Sequence, residues 1–464
     1  MGNNYCTGIG RSNVQQVFAV LEDVSGELQK PTATGFILPA GQSTMTQTPS
    51  YSPSNELSKS LNVLNQVQDA VTAGDISIPM YLRLGTDYSA PQGDDILTAL
   101  MGEKQTPDTV TASTVGSLTS SDVSFDIDTV AGGFMPARGV VQIESEKIRY
   151  TTKTAASTTG QYTLGGCTRG YGGTTAATHT DASTVTLKSR VYMQSTCRPS
   201  VSVWVEFDHA VMFMSGCSVT QGTIPLSNSG GQMITVSLQG RRMGWVGSGN
   251  VVSAASGIIT LGEEEANSFS VGGFIRNATK NDDNSSAGYK VTAVDADNNT
   301  ITVSPSPTGW VKDDVLKPWL PSASGIGIAV ESRDARVFIN GATGRRREGD
   351  VTINTPTTFA NEIGDEFPGD NADGKRGITI SGGMYFRAED CKQFGLGYKG
   401  YELPMTVALG DKAGHTLALH FPRIKFNTPT VGTDGEFYTL TQDGTALGVT
   451  DEREGESSLY LIQE

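Results

Sequence analysis

Histidine and cysteine, on which much of metal and nucleophilic chemistry rests, are scarce here: four and five in 464 residues. The cysteines, Cys6, Cys167, Cys197, Cys217 and Cys391, are odd in number and never spaced C-x-x-C. That pattern supports neither a disulfide framework nor a zinc site, and buried thiols in a protein made in a reducing cytoplasm are expected. Among His179, His209, His415 and His420, the last two stand five apart in sequence that reads as strand, which excludes helical metalloprotease spacing. Solvent-facing or turn histidines are expected. The glycine-rich run Gly165 to Gly173 lacks the G-K-[ST] of a phosphate cradle, and no G-x-S-x-G elbow occurs. Asp295-Ala296-Asp297-Asn298-Asn299 lacks the glycine and terminal glutamate of a calcium loop. No catalytic, cofactor or metal site is expected, so the chain does not read as an enzyme.

Long apolar runs are missing too. Nothing approaches the roughly 20 residues of a membrane span, and MGNNYCTGIGRSN has no apolar core of a secretory signal. Basic residues fall short of acidic ones, 34 against 49, for a net charge of −15. This argues against tight nucleic-acid binding, which neutralises phosphates, but allows an acidic wall past which DNA slides. The one basic run, Arg345-Arg346-Arg347, precedes Glu348 and Asp350 and reads as a solvated loop or a salt-bridge patch between subunits.

What is abundant is glycine, 55 residues, together with Ser, Thr and β-branched apolar residues. Glycine supplies positive φ in tight turns and β-branched side chains fit a pleated surface, so the composition reads as all-β. The length suggests roughly three domains. Strands are predicted at Val14 to Val20 and over ISIPMYLR (Ile76 to Arg83), where Pro79, lacking an N–H, demands an edge or a bulge. Between them, Asn55 to Ala70 fits a helix or an extended polar arm. The clearest helix follows Pro91: Asp94 and Asp95 favour its start, Ile96, Leu97, Leu100 and Met101 form one face, and Gly102 stops it. A Ser/Thr linker from residue 104 opens a module of four or five strands ending near Lys188. Its charges Glu144, Glu146 and Lys147 are expected to face water while Val141, Ile143 and Ile148 pack. The strongest alternations, SVSVWVEFDHAVMFMSGCSV and QMITVSLQGRRMGWV, come next. A second small β unit spans 247–320, with a hairpin turning at Asp297-Asn298-Asn299, and 321–464 is again strand and turn.

Ile76-x-Ile78, Met80-Tyr81-Leu82-Arg83 is echoed by Ile378-x-Ile380, Met384-Tyr385-Phe386-Arg387 with two extra residues between, as two decorated copies of one β fold would be. The segments DISIPMYLR, LTALMG and SVSVWVEFDHAVMFMSGCSVTQGTIPLS to GGQMITVSLQGR, and then ISGGMYFR through AGHTLALHFPRIKFNTPTV, resemble the tail tube proteins of long-tailed, non-contractile bacteriophages. Residues 104–188, with Gly139, Glu146, Tyr150, Arg169-Gly170 and His179, resemble a small β module of phage tail and fibre proteins.

The resemblance implies two tail-tube sandwich or barrel folds with one short helix each, 1–103 with 189–246 and 321–464, plus inserted modules at 104–188 and 247–320. It implies a virion structural subunit, made in the bacterial cytoplasm, that polymerises with itself as stacked rings, trimeric and pseudo-hexameric with two folds per chain. Tape measure, terminator and distal tail proteins would be its other partners, and DNA would pass without specific binding. A baseplate hub or host-recognition protein reusing the fold is the alternative. Within SVSVWVEFDHAV, Glu206 and Asp208 share a parity opposite to Val203, Val205 and Phe207, which makes them the candidates for an acidic lumen.

Overall fold

The computed structural model describes residues 11, 14–54, 65–128, 134–227, 229–323, 327–448 and 457–464. The chain is all-β with a few short helices. Eight antiparallel strands form one uninterrupted sheet in the order Thr44–Thr46, Gly74–Tyr81, Met233–Gly240, Ala210–Leu226, Glu348–Asn354, Gly377–Tyr385, Phe437–Thr441 and Thr430–Asp434. The first four belong to one half of the chain, the last four to the other, and each half repeats the same order. The matching segments ISIPMYLR and ISGGMYFR occupy the same place in the two sets, second in the order. The strand Thr44–Thr46 stops opposite Ser77, two residues short of Pro79, so the missing N–H lies past its ladder.

Outside this sheet lies a second layer. In the first half it comprises Gln15–Leu21, Val201–Phe207, the start of Ala210–Leu226 and Arg242–Val246. In the second half Arg336–Ile339, Glu402–Leu409, Leu417–Phe426 and Tyr460–Gln463 take the equivalent places. Arg190–Gln194 and Gly102–Gln105 extend this second layer beyond Tyr460–Gln463. The strand Ala210–Leu226 passes from one layer to the other at Gly216, whose φ is +63° and whose added Cβ would lie 2.7 Å from the Arg241 side chain. The buried carboxylate of Glu22 holds that corner, accepting hydrogen bonds from the Gly216 amide at 2.8 Å and the Ser200 and Ser202 hydroxyls at 2.7 Å.

One hydrophobic core fills the space between the layers. It joins Ile76, Ile78, Val236 and Leu238 of the first half to Val351, Ile353, Val407 and Phe421 of the second. The helix Asp94–Met101 buries Ile96, Leu97, Leu100 and Met101 there, and Gly102 ends it at φ +116°. Leu100 presses on the sheet so closely that a Cβ at Gly222 would sit 2.8 Å from it. The second-half helix, Lys392–Lys399, has no fully buried residue.

Each outer layer is covered by a module. The 247–320 unit is a closed six-stranded barrel whose core is continuous with Phe18, Trp204 and Phe213 of the first half. The 104–188 unit has seven short strands rather than four or five. Although it interrupts the first half, it lies on the second, sharing a core with Ala418, Tyr460 and Ile462. Of the region Asn55 to Ala70, residues 55–64 lie outside those described, and Gln66–Gln68 is strand, paired with Tyr51–Pro53. An equivalent hairpin, Thr357–Phe359 with Asn371–Asp373, stands at the matching place in the second half.

Candidate functional site

Alternation gives the eight-strand sheet two unlike faces. Residues Ile76, Ile78, Met80, Ile234, Val236, Ile224, Val351, Ile353, Ile378 and Ile380 enter the core. The other face is built of hydroxyls, amides and glycine in rows that cross the strands. One row runs Thr44, Ser77, Ser237, Gln221, Asn354, Gly377, and the next runs Pro79, Thr235, Thr223, Thr352, Thr379, Thr445. The five long strands put three charges on this face, Asp75, Glu348 and Asp350, all acidic and all exposed. None of these strands contains Lys or Arg. Arg347, which leads into Glu348–Asn354, is paired with Asp434 at 2.5 Å.

The sheet has two open edges. Among the described residues, no strand pairs with the outer side of Thr44–Thr46 or of Thr430–Asp434. All five residues of Thr430–Asp434 are exposed, and Val431, Phe437, Tyr438 and Tyr385 leave large apolar side chains uncovered beside it. Such an edge is a template for pairing with another chain. The matching edge of the first half is already covered, since Gln221 to Leu226 pairs with Gly349 to Asn354 across the junction between the halves.

Glu206 and Asp208 are not on this face. They lie at the tip of the outer hairpin Val201–Phe207 with Ala210–Leu226. Their parity is as read from the sequence, but it is shared by Trp204, whose ring packs 4.6 Å from Phe213 and 5.8 Å from Phe274 of the barrel. Burial, then the neighbouring Asp208, raises the Glu206 pKa. Asp208 sits in the turn at φ +56°, held low by the backbone amide and side chain of Arg11.

Other polar residues also depart from expectation. Glu146 is fully buried rather than solvated, bonded by Arg169 at 2.7 and 2.8 Å, the Gly170 and Ala177 amides at 2.9 and 3.0 Å, and His179 at 2.8 Å. The landmarks Glu146, Arg169-Gly170 and His179 thus converge on one buried cluster that ties the loop 169–179 to the hairpin. Burial alone would raise the Glu146 pKa; the bonds from Arg169, Ala177, Gly170 and His179 outweigh it and bring the group to about 2. His179 is buried, and His420 lies on the strand Leu417–Phe426 rather than in a turn. Cys167 and Cys217 are buried, whereas Cys197 and Cys391 are exposed.

The signal for the polar face was in the sequence as Ile-Thr-Val-Ser, Val-Thr-Ile-Asn and Ile-Thr-Ile-Ser, an apolar residue followed each time by a hydroxyl or amide. Among the described residues, no group of three His, Cys, Asp or Glu is placed to hold a metal, and no helix is long and apolar enough to cross a membrane. No family model matches the chain, and no curated protein matches it either.

Proposed function

We propose that the chain is the repeating subunit of the tail tube of a long-tailed, non-contractile bacteriophage, stacked as rings into a conduit for genome ejection. The observation that carries this reading is the tandem sheet with one seam inside the chain and two open edges. A second copy offering its Thr44–Thr46 edge to Thr430–Asp434 repeats the internal seam, and a head-to-tail contact of this kind closes into a ring. Three chains supply 24 strands and leave no edge. With strands about 4.8 Å apart and tilted about 40°, such a barrel is on the order of 45 Å across its backbone, wide enough for a DNA duplex. The hydroxyl-rich face with Asp75, Glu348 and Asp350 then lines the lumen, where like charge keeps DNA from adhering. Glu206 and Asp208, under the barrel module, do not.

The repeat also sets the register of the contact. Thr223 stands opposite Thr235 on one side and Thr352 on the other. Thr430, opposite Thr441, is its equivalent, and Thr46, opposite Asp75, is the equivalent of Thr352, opposite Thr379. Thr430 of one chain therefore meets Thr46 of the next. The chain carrying both Thr46→Cys and Thr430→Cys is expected to give closed covalent trimers on oxidation, in rings about 100 Å wide by negative-stain microscopy. Either single substitution gives no trimer. A double variant that stays monomeric on oxidation, with no rings or tubes at high concentration, refutes the proposal.

A further inference from the structure

The two halves treat one row of their outer layers differently. In the first half the row is Phe18, Trp204, Phe213, Gly244, sealed by the aromatic core of the barrel module. In the second half the equivalent row is Phe338, Thr406, His420, Tyr460. Here the covering module packs only on the Tyr460 end. Over Phe338, Thr406 and His420 it leaves a cavity of about 320 Å³, walled on the module side by Arg138, Arg149 and Thr152.

The polar groups there are held but not used up. Arg138, only 4 % exposed, bonds the buried carboxylate of Glu464 through Nε and Nη2, and Arg149 adds a third bond through Nε at 2.8 Å. Two guanidinium groups thus share one side-chain carboxylate, and the Glu464 main-chain oxygen is turned onto the Gly414 and Thr416 amides. Among the described residues, no acceptor meets Nη1 of Arg138 or either Nη of Arg149. His420 bonds the Thr406 hydroxyl through Nδ1 at 3.0 Å, which leaves Nε2 without a partner among the described residues. Burial, then Arg138, lowers the His420 pKa to about 4, so at neutral pH it supplies a hydrogen bond and not a charge. Phe338 and Pro404 add an apolar wall.

We infer that this cavity between the 104–188 module and the second half binds a small molecule carrying an oxyanion on a polar ring, a sugar phosphate or a sugar carboxylate. A guanidinium pair with open N–H groups recognises phosphate or carboxylate, the Phe338 and Pro404 wall receives the ring, and the volume suits a ligand of that size. The site stands apart from the open edges, so it does not depend on the tube reading.

The test is calorimetric titration of the purified full chain with inorganic phosphate, glucose 6-phosphate, glucuronate and glucose. Saturable binding of glucose 6-phosphate or glucuronate is expected below about 10 mM, with glucose not bound, and the two acids identify which oxyanion is preferred. Arg149→Gln, which keeps the Arg138 pair with Glu464, should weaken binding about tenfold or more. Phe338→Ala should weaken the sugar acids and leave any phosphate binding alone. Should Arg149→Gln fail to fold, His420→Phe, which fills the cavity from the opposite wall, serves in its place. No saturable binding by either sugar acid overturns the inference, and so does binding that survives both Arg149→Gln and His420→Phe unchanged.

Discussion

Replacing Glu146 by Gln tests whether the buried cluster of the 104–188 module holds its fold. The substitution keeps the size of the side chain but removes a charge that five donors share, two of them from a guanidinium only 7 % exposed. Removing one member of a buried, hydrogen-bonded ion pair costs about 3–5 kcal/mol, because the partner charge stays desolvated. The titration of Glu146 gives an independent figure. Its folded pKa, about 2 against an ordinary 4.5, favours folding by about 3 kcal/mol above the unfolded value. Since the folded value is the lower one, this contribution is complete above about pH 4.5 and disappears as pH falls toward 2. For a unit of about 80 residues each kcal/mol moves the melting temperature by about 4–8 °C, so Glu146→Gln should lower the module's transition at pH 7 by on the order of 15 °C. Differential scanning calorimetry at pH 7 and pH 3 measures it, and the gap between parent and variant should shrink at the lower pH. A variant within about 1 kcal/mol of the parent at pH 7 would refute the reasoning.

Three further outcomes are expected. Gly222→Ala puts a Cβ 2.8 Å from Leu100 and should cost about 1–3 kcal/mol in denaturant unfolding, and the double variant with Leu100→Ala should cost less than the two single substitutions added together. Replacing residues 108–184 with a short Gly/Ser linker uncovers Tyr460 and Ile462 and strips both arginines from Glu464; soluble yield should fall, and adding Glu464→Gln should recover part of it. Asp75→Lys with Asp350→Lys should slow genome ejection at low salt and recover at high salt, whereas Glu206→Lys with Asp208→Lys should leave ejection kinetics unchanged.

Much of this architecture was legible from periodicity. The alternation around Ile76 and Ile378 marks the two strands that hold the same place in each half, and the apolar face of Asp94–Met101 marks the helix. The errors have local causes. Glu146 follows a two-residue turn, so it stands directly opposite Ile143 and on the same inward face as Ile148; the turn length, not the charge, sets its face. Glu206 keeps the parity its sequence spacing gives, and that parity turns it toward the barrel module. Trp204, on that same parity, was the sign that a module covers it. The cavity over His420 was out of reach, because it depends on the register of four strands and on Arg138 and Arg149, more than 250 residues away in sequence.

The seam between the halves, Gln221 to Leu226 against Gly349 to Asn354, is made within one chain. Its two strands meet at the high effective concentration of a tethered pair, whatever the amount of protein present. In the proposed ring of three chains, three of the six seams form between chains, and the other three are complete before assembly begins. The tether has a second effect. In a ring of six identical subunits every substitution recurs at six places, but here the halves can change separately while the sheet they share stays regular. Trp204 and Phe213 in one half, with Thr406 and His420 in the other, are that freedom in use: equivalent positions, one serving cohesion and one left open to chemistry.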